Sequence, residues 1–207
     1  TSAAIAQASM GSILLIASEI RSKFLNKNNF ATSVLFGDGA AACVVSTDKE
    51  HAEFRFIASA LFADGEVSDT VSTPAGGSRL PARQCTDPEL FYITIKESTA
   101  LFVKAVHGMV DGAEEFLKAL NLSTADIQWL VPHQGNKNLV LSVAKQLGFP
   151  EERIVKTVEE TGNTSGSSVG IALDYLREHA DIKANDKVLL VAAGGGGIAA
   201  CALLEVI

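Results

Sequence analysis

From residue 127 to its end the chain alternates short apolar runs with segments of helical period, an order that few architectures can satisfy. An apolar run over 127–131 reads as a strand, and 136–147 reads as a helix stopped by Gly148. A further strand is expected at 153–155 and a helix at 167–179, then two strands at 188–193 and 198–206 around Gly194 to Gly197. Strands and helices alternating at this length imply an α/β architecture, with a mostly parallel or mixed sheet covered by helices and a glycine turn joining the last two strands.

Upstream, Leu101, Phe102, Ala105, Val106, Met109, Val110, Ala113, Phe116, Leu117 and Leu120 recur at helical spacing, which predicts one long amphipathic helix over 88–120. A strand is expected at 53–62. The stretch 63–87, rich in Gly, Pro, Ser and Asp, has the length of a functional loop. Residues 12–17 and 40–46 read as buried strands, with Phe36-Gly37-Asp38-Gly39-Ala40 as the turn before the second. No helices accompany these first strands. The expected division is therefore an incomplete unit over 1–50 and a complete one over 51–207.

Composition narrows the function classes. The chain has 207 residues, 47% of them apolar, and a net charge of −7 without any run of Lys or Arg, which argues against a nucleic-acid or anionic-membrane surface. Its apolar stretches fall far short of the roughly 20 residues needed to span a bilayer. Residues 1–8 lack the charged start and apolar centre of a secretion signal, so a cytoplasmic setting is expected, and the absence of an initiator Met suggests a fragment. Cys43, Cys85 and Cys201 form neither a CxxC pair nor an even-numbered framework, and His51, His107 and His179 have no ligand-like spacing to His133. No metal site and no disulfide are expected. Cys43 and Cys201, set in apolar runs, read as buried inert thiols.

Three loops stand where an open α/β sheet builds its sites, at strand ends. Val131-Pro132-His133-Gln134-Gly135-Asn136 puts a histidine directly after a strand. Thr161 to Ser168 offers the amide of Asn163 and free backbone N–H groups before a helix. Gly194 to Gly197 lets a ligand approach the backbone closely. Each has a plain structural alternative: a capping histidine, an ordinary helix N-cap, a tight hairpin. Together, an imidazole, an amide and a backbone N–H at one end of a sheet would stabilise an enolate or a tetrahedral oxyanion. No G-x-S-x-G elbow and no G-x-G-x-x-G fingerprint occurs.

Taken in order, Leu35-Phe36-Gly37-Asp38-Gly39-Ala40, Ala63-Asp64-Gly65, Trp129 to Asn136, Gly162-Asn163-Thr164-Ser165 and Gly194-Gly195-Gly196 make the chain resemble the thiolase-fold condensing enzymes, specifically the β-ketoacyl-acyl-carrier-protein synthase III family. The resemblance implies a thiolase-like fold, one complete C-terminal half plus the tail of an N-terminal half. It implies a Cys-His-Asn acyltransferase that condenses acyl-coenzyme A with malonyl-acyl-carrier-protein at the start of fatty-acid synthesis, with no cofactor. His133 and Asn163 match the catalytic pair that holds the malonyl thioester carbonyl during decarboxylation. Gly196 matches an oxyanion-hole glycine, and Asn136 a substrate-binding residue near the pantetheine arm.

The family's cysteine falls a little upstream of where Thr1 aligns, so none of the three cysteines is expected to be the nucleophile, and the chain alone is expected to be inactive. Lys96-Glu97-Ser98 stands where the family usually has Met-x-Gly, and Asn138 where many members carry arginine. Lys104, Lys137 and Lys145 could supply positive surface for an acidic carrier protein, or be ordinary solvated helix faces. A homodimer is expected of the full-length form. Two alternatives stay open: a non-catalytic or split-enzyme partner subunit of this fold, and a related acyl-coenzyme A condensing enzyme of secondary metabolism.

Overall fold

The computed structural model describes residues 11–65 and 70–207. The reading of residues 1–8 lies outside them, as does part of the 63–87 loop. Strands β1 (Ser12–Glu19) and β2 (Gly39–Ser46) form an antiparallel ribbon in which Ser12 faces Ser46 and Glu19 faces Gly39. A second sheet has the order β3 (Phe54–Ala63), β8 (Ile198–Val206), β7 (Lys187–Gly194), β6 (Trp129–Pro132). Within the 63–87 loop and just past it, β4 (Val71–Ser72) and β5 (Thr94–Ile95) make a small antiparallel pair.

Period-two alternation divides the larger sheet into two buried faces. Leu130, Leu189, Val191, Cys201 and Leu203 point to one side, where they meet α1 (Ser98–Ala119) through Val106, Met109, Ala113 and Leu117 and α2 (Lys137–Gln146) through Leu139, Val140 and Val143. Val131, Val188, Leu204 and Val206 point to the other, against Ala172 and Leu176 of α3 (Ser168–His179). The opposite side of α3 lies on β2. A Cβ added at Gly170 would stand 2.6 Å from the Ala41 Cβ, so this helix and strand touch through their smallest residues. The layers therefore run β1–β2 ribbon, α3, four-stranded sheet, then α1 with α2.

Helix ends follow local chemistry. The Asn136 side-chain oxygen accepts from the Leu139 N–H at 2.9 Å and starts α2, which stops before Gly148 at φ +75°. α1 ends at Ala119, and Asn121 just beyond its cap takes the left-handed conformation at φ +56°.

Four expectations are corrected. β1 and β2 are strands but not buried ones, since Leu14, Leu15, Ile16 and Val44 are all exposed. The sheet is mixed, but of its three strand pairings only β6–β7 is parallel; β3–β8 and β7–β8 are antiparallel, because β8 returns from β7 through the glycine hairpin. The long helix begins at Ser98, not 88. Asp87 caps a single 3-10 turn at Pro88–Phe91, and the β-branched Thr94–Ile95 pairs with β4 instead of continuing a helix. The 153–155 strand reduces to one parallel bridge, Leu130 to Ile154, since a 3-10 turn takes Glu151–Arg153 and a side chain takes the Val155 carbonyl.

Candidate active site

His133 leaves the C-terminal end of β6 with its N–H donated to the Val191 carbonyl at 2.7 Å, so the neighbouring strand fixes where the side chain starts. Its ring is half-buried, and desolvation pushes the imidazole down to about 4, leaving it neutral at pH 7. Nδ1 meets the Ser168 hydroxyl at 2.7 Å, at the first residue of α3. Nε2 is left as the ring nitrogen with no hydrogen bond among the described residues.

The next residue, Gln134, is fully buried and spends its whole amide on backbone. Its NH2 donates to the carbonyls of Pro132 at 2.8 Å and Val155 at 3.1 Å, and its oxygen accepts from the N–H groups of Thr157 and Val158 at 2.9 and 3.1 Å. A side chain with all four hydrogen bonds filled welds the end of β6 to the 155–158 segment. Sequence reading assigned no role to Gln134 or Ser168. The one signal, for Gln134 alone, was a polar side chain two residues past an apolar strand, and it gave no hint of the partners.

Asn163 is held from the other side of the molecule. Its N–H donates to the Leu35 carbonyl at 2.8 Å, and its own carbonyl accepts from the Gly37 N–H at 3.1 Å, forming a parallel bridge with Phe36. Gly37 is required here: an added Cβ would sit 2.0 Å from the Thr161 carbonyl oxygen. Asp38 accepts from the N–H and hydroxyl of Ser22 at 2.8 and 2.6 Å, hydrogen bonds that hold its carboxyl below the usual range. Arg21 donates to the Ser165 hydroxyl at 2.6 Å. The Phe-Gly-Asp-Gly turn is thus a latch that seats the 161–166 loop. Within that loop the Asn163 side-chain oxygen accepts the Ser165 N–H at 2.8 Å, which leaves its NH2 as an uncommitted donor among the described residues.

His133 and Asn163 therefore belong to one framework, because Ser168, bonded to the first, opens the helix that follows the loop of the second. Gly196 lies in the three-residue hairpin between β7 and β8 at φ +86°, with open space where a Cβ would be. Asn136 is seen as the cap of α2, its oxygen already engaged. Of the three lysines, Lys137 pairs with Glu159 at 2.7 Å and Lys104 with Asp64 at 3.4 Å, while Lys145 is exposed. Glu97 takes a left-handed conformation at φ +49° just before α1. A cleft of about 610 Å3 is lined by residues such as Trp129, Glu151 and Tyr175, and one of about 360 Å3 by Asp64, Lys104 and the Gly194 and Gly197 flanks of the hairpin; neither lining includes His133 or Asn163. Among the described residues no group of three His, Cys, Asp or Glu could hold a metal ion. No described helix is long and apolar enough to cross a membrane.

Cysteine chemistry is quiet. Burial pushes the Cys201 thiol up to about 12; Cys43, expected to be buried, is exposed, and partial desolvation still raises its thiol, so neither is an activated thiolate. Cys85 donates its S–H to the Asp87 carbonyl at 3.1 Å.

A ribbon, a helix layer and a mixed sheet in this order, with His and Asn on loops at strand and helix ends, define the thiolase-like condensing-enzyme class. A solved 3-oxoacyl-acyl-carrier-protein synthase III from Thermus thermophilus superposes with a TM-score of 0.85 at 31% identity, over 99% of this chain and 62% of that one. The priming β-ketosynthase of the R1128 polyketide pathway gives 0.84 at 26%, over 98% and 59%. Residues 1–65 match the family model for 3-oxoacyl-[acyl-carrier-protein (ACP)] synthase III, and residues 117–206 match the model for its C terminal. The β-ketoacyl-[acyl-carrier-protein] synthase III of Chlamydia muridarum is 40% identical over 184 residues, 89% of this chain. The chain belongs to the 3-oxoacyl-acyl-carrier-protein synthase III family. It spans 56% of that relative's length, and its first 65 residues match beyond the C-terminal model, so it carries sequence of both regions.

Proposed function

We propose that the whole protein is a β-ketoacyl-acyl-carrier-protein synthase III, an acyltransferase that condenses acyl-coenzyme A with malonyl-acyl-carrier-protein to begin fatty-acid synthesis. The observation that carries this reading is a pair of anchored side chains: His133 held through Nδ1 and Asn163 held through its oxygen, with Nε2 of the first and the NH2 of the second unengaged among the described residues. In the decarboxylation the bond between the malonyl α-carbon and its carboxylate breaks and carbon dioxide leaves. The electron pair passes into the thioester as an enolate, whose oxygen the two N–H groups stabilise as charge develops. The α-carbon then attacks the acyl group on the family's cysteine, which the resemblance sets upstream of Thr1. Gly196 N–H would receive the resulting oxyanion, and collapse returns the thiolate. Asn136 would contact the pantetheine arm through its NH2.

The same reading divides the chain into the tail of one thiolase-like half, residues 1–50, and a second half, 51–207; the break between β2 at Ser46 and β3 at Phe54 supports it. It also takes the carrier protein and the coenzyme A thioester as partners, a homodimer as the whole form, the cytoplasm as its location and no cofactor.

A second reading, a condensing enzyme of secondary metabolism with another acyl donor, is favoured by one feature. Lys96-Glu97-Ser98, with Glu97 in a left-handed conformation, replaces the Met-x-Gly expected at the acyl pocket. Measuring carbon dioxide release from malonyl-acyl-carrier-protein tests the first reading. His133→Ala and Asn163→Ala in the whole enzyme should each lose at least about 100-fold while cysteine acylation persists. Undiminished release in either variant removes that residue from the mechanism. Comparing acyl-coenzyme A donors then separates the two readings.

A further inference from the structure

We propose that Ser168 sets the tautomer of His133, keeping Nδ1 unprotonated as an acceptor and Nε2 protonated as the donor the site presents. The inference deepens the reading above and rests on it only for its catalytic consequence.

Counting protons around one buried hydroxyl leads to this assignment. Ser168 is 1% exposed, so its hydroxyl proton needs a partner in the protein. Its oxygen already receives the Gln134 N–H at 3.4 Å. The usual acceptor for a hydroxyl at a helix start, the carbonyl four residues back, is that of Thr164. This carbonyl is occupied by Ser167, which donates both its N–H at 3.2 Å and its hydroxyl at 2.9 Å. The remaining neighbour within hydrogen-bond distance among the described residues is His133 Nδ1 at 2.7 Å. If Nδ1 carried a proton, that proton and the Ser168 hydroxyl proton would compete for one contact, and the buried hydroxyl would go unsatisfied. The Ser168 O–H therefore donates to Nδ1. In a neutral ring the proton then sits on Nε2.

Two further features hold the arrangement. Gln134, locked by its four backbone bonds, fixes the peptide N–H that aims the Ser168 oxygen. Desolvation keeps the ring neutral, so one tautomer rather than an imidazolium is at stake. Ser168 acts through His133 and touches no reacting atom; it is a positioning residue.

The test is long-range 1H–15N correlation NMR of the histidine rings in the 15N-labelled 207-residue chain at pH 7, with His133 assigned by its disappearance in His133→Asn. The wild type should show His133 as the single Nε2–H tautomer. Ser168→Ala should lose that single-tautomer pattern, and Ser168→Thr, which keeps the hydroxyl, should recover it. In the whole enzyme Ser168→Ala should slow malonyl decarboxylation about tenfold in kcat with little change in KM, the worth of one misdirected hydrogen bond, and Ser168→Thr should restore it. A wild-type ring protonated on Nδ1, or an Nε2–H tautomer that survives Ser168→Ala intact, overturns the proposal. The wild-type spectrum needs no variant to fold. It also separates this proposal from the decarboxylation reading, which is judged by carbon dioxide release in His133→Ala and Asn163→Ala.

Discussion

β1 and β7 are both eight residues long and both carry apolar runs, Ile13 to Ala17 in one and Val188 to Ala193 in the other, yet their surroundings are opposite. In β7, Val188 and Leu189 are fully buried, because β6 and β8 flank the strand and helices cover both sheet faces. In β1, Leu14 and Ile16 are each 62% exposed, and Val44 on β2 is 67% exposed. Among the described residues the ribbon is covered from one side, by α3 and the 165–167 turn before it. An apolar run thus specifies a strand, while its burial is decided by how many layers the rest of the fold brings to it. The less covered region still bears on the proposed site, since it supplies the latch that seats Asn163.

This contrast can be broken first by truncation. Leu203→Ala, in the fully buried sheet, should cost about 3 kcal/mol from lost transfer and the cavity left behind, whereas Leu14→Ala should stay within about 0.5 kcal/mol. Urea unfolding of the two variants measures both, and equal losses would abolish the distinction. A smaller effect sharpens the role of the ribbon. Gly37→Ala should destabilise by about 2 kcal/mol, since its Cβ meets the Thr161 carbonyl, while Gly77→Ala, with open space around it, should change stability by under about 0.5 kcal/mol. Amide exchange at Asn163 should rise in the first variant and not in the second. The smallest effect concerns thiols. Cys43 on the ribbon should be alkylated by iodoacetamide at least about tenfold faster than Cys201, whose thiol is buried and pushed up to about 12; mass spectrometry of partially labelled native protein gives the ratio.

Much of this was legible in the residues. Apolar period and Gly or Asn punctuation placed α2, α3, β7 and β8 to within about two residues, because there local preference and tertiary packing agree. The three site loops were legible as polar or glycine-rich segments at strand ends. The glycine turn already implied the antiparallel β7–β8 pairing; that β3 adds to β8 antiparallel was not legible, since the two strands are far apart in sequence. The start of α1 was misplaced because Thr94–Ile95 pairs with β4 over a distance that sequence periodicity does not carry. Gln134 and Ser168 were invisible as functional residues for a related reason. Their roles lie in hydrogen bonds to backbone at 155–158 and to His133, contacts made only once β6 and α3 are side by side.

The proposed mechanism turns on His133, whose ring desolvation keeps neutral, as a hydrogen-bond donor. Its folded value of about 4 lies below the ordinary 6.5, so on acidification the unfolded chain takes up this proton first. The stability held above pH 6.5 should therefore fall by up to about 2 kcal/mol between pH 6.5 and 4 and then level off, a change that His133→Asn should flatten. The most direct measurement is an NMR titration of the His133 ring in the folded chain from pH 8 to 3.5. A midpoint near 4, with no change across pH 6 to 7, is the expected result. A midpoint near 6.5 would mean that the ring is solvated and charged near neutrality, and would contradict a site built on a neutral donor.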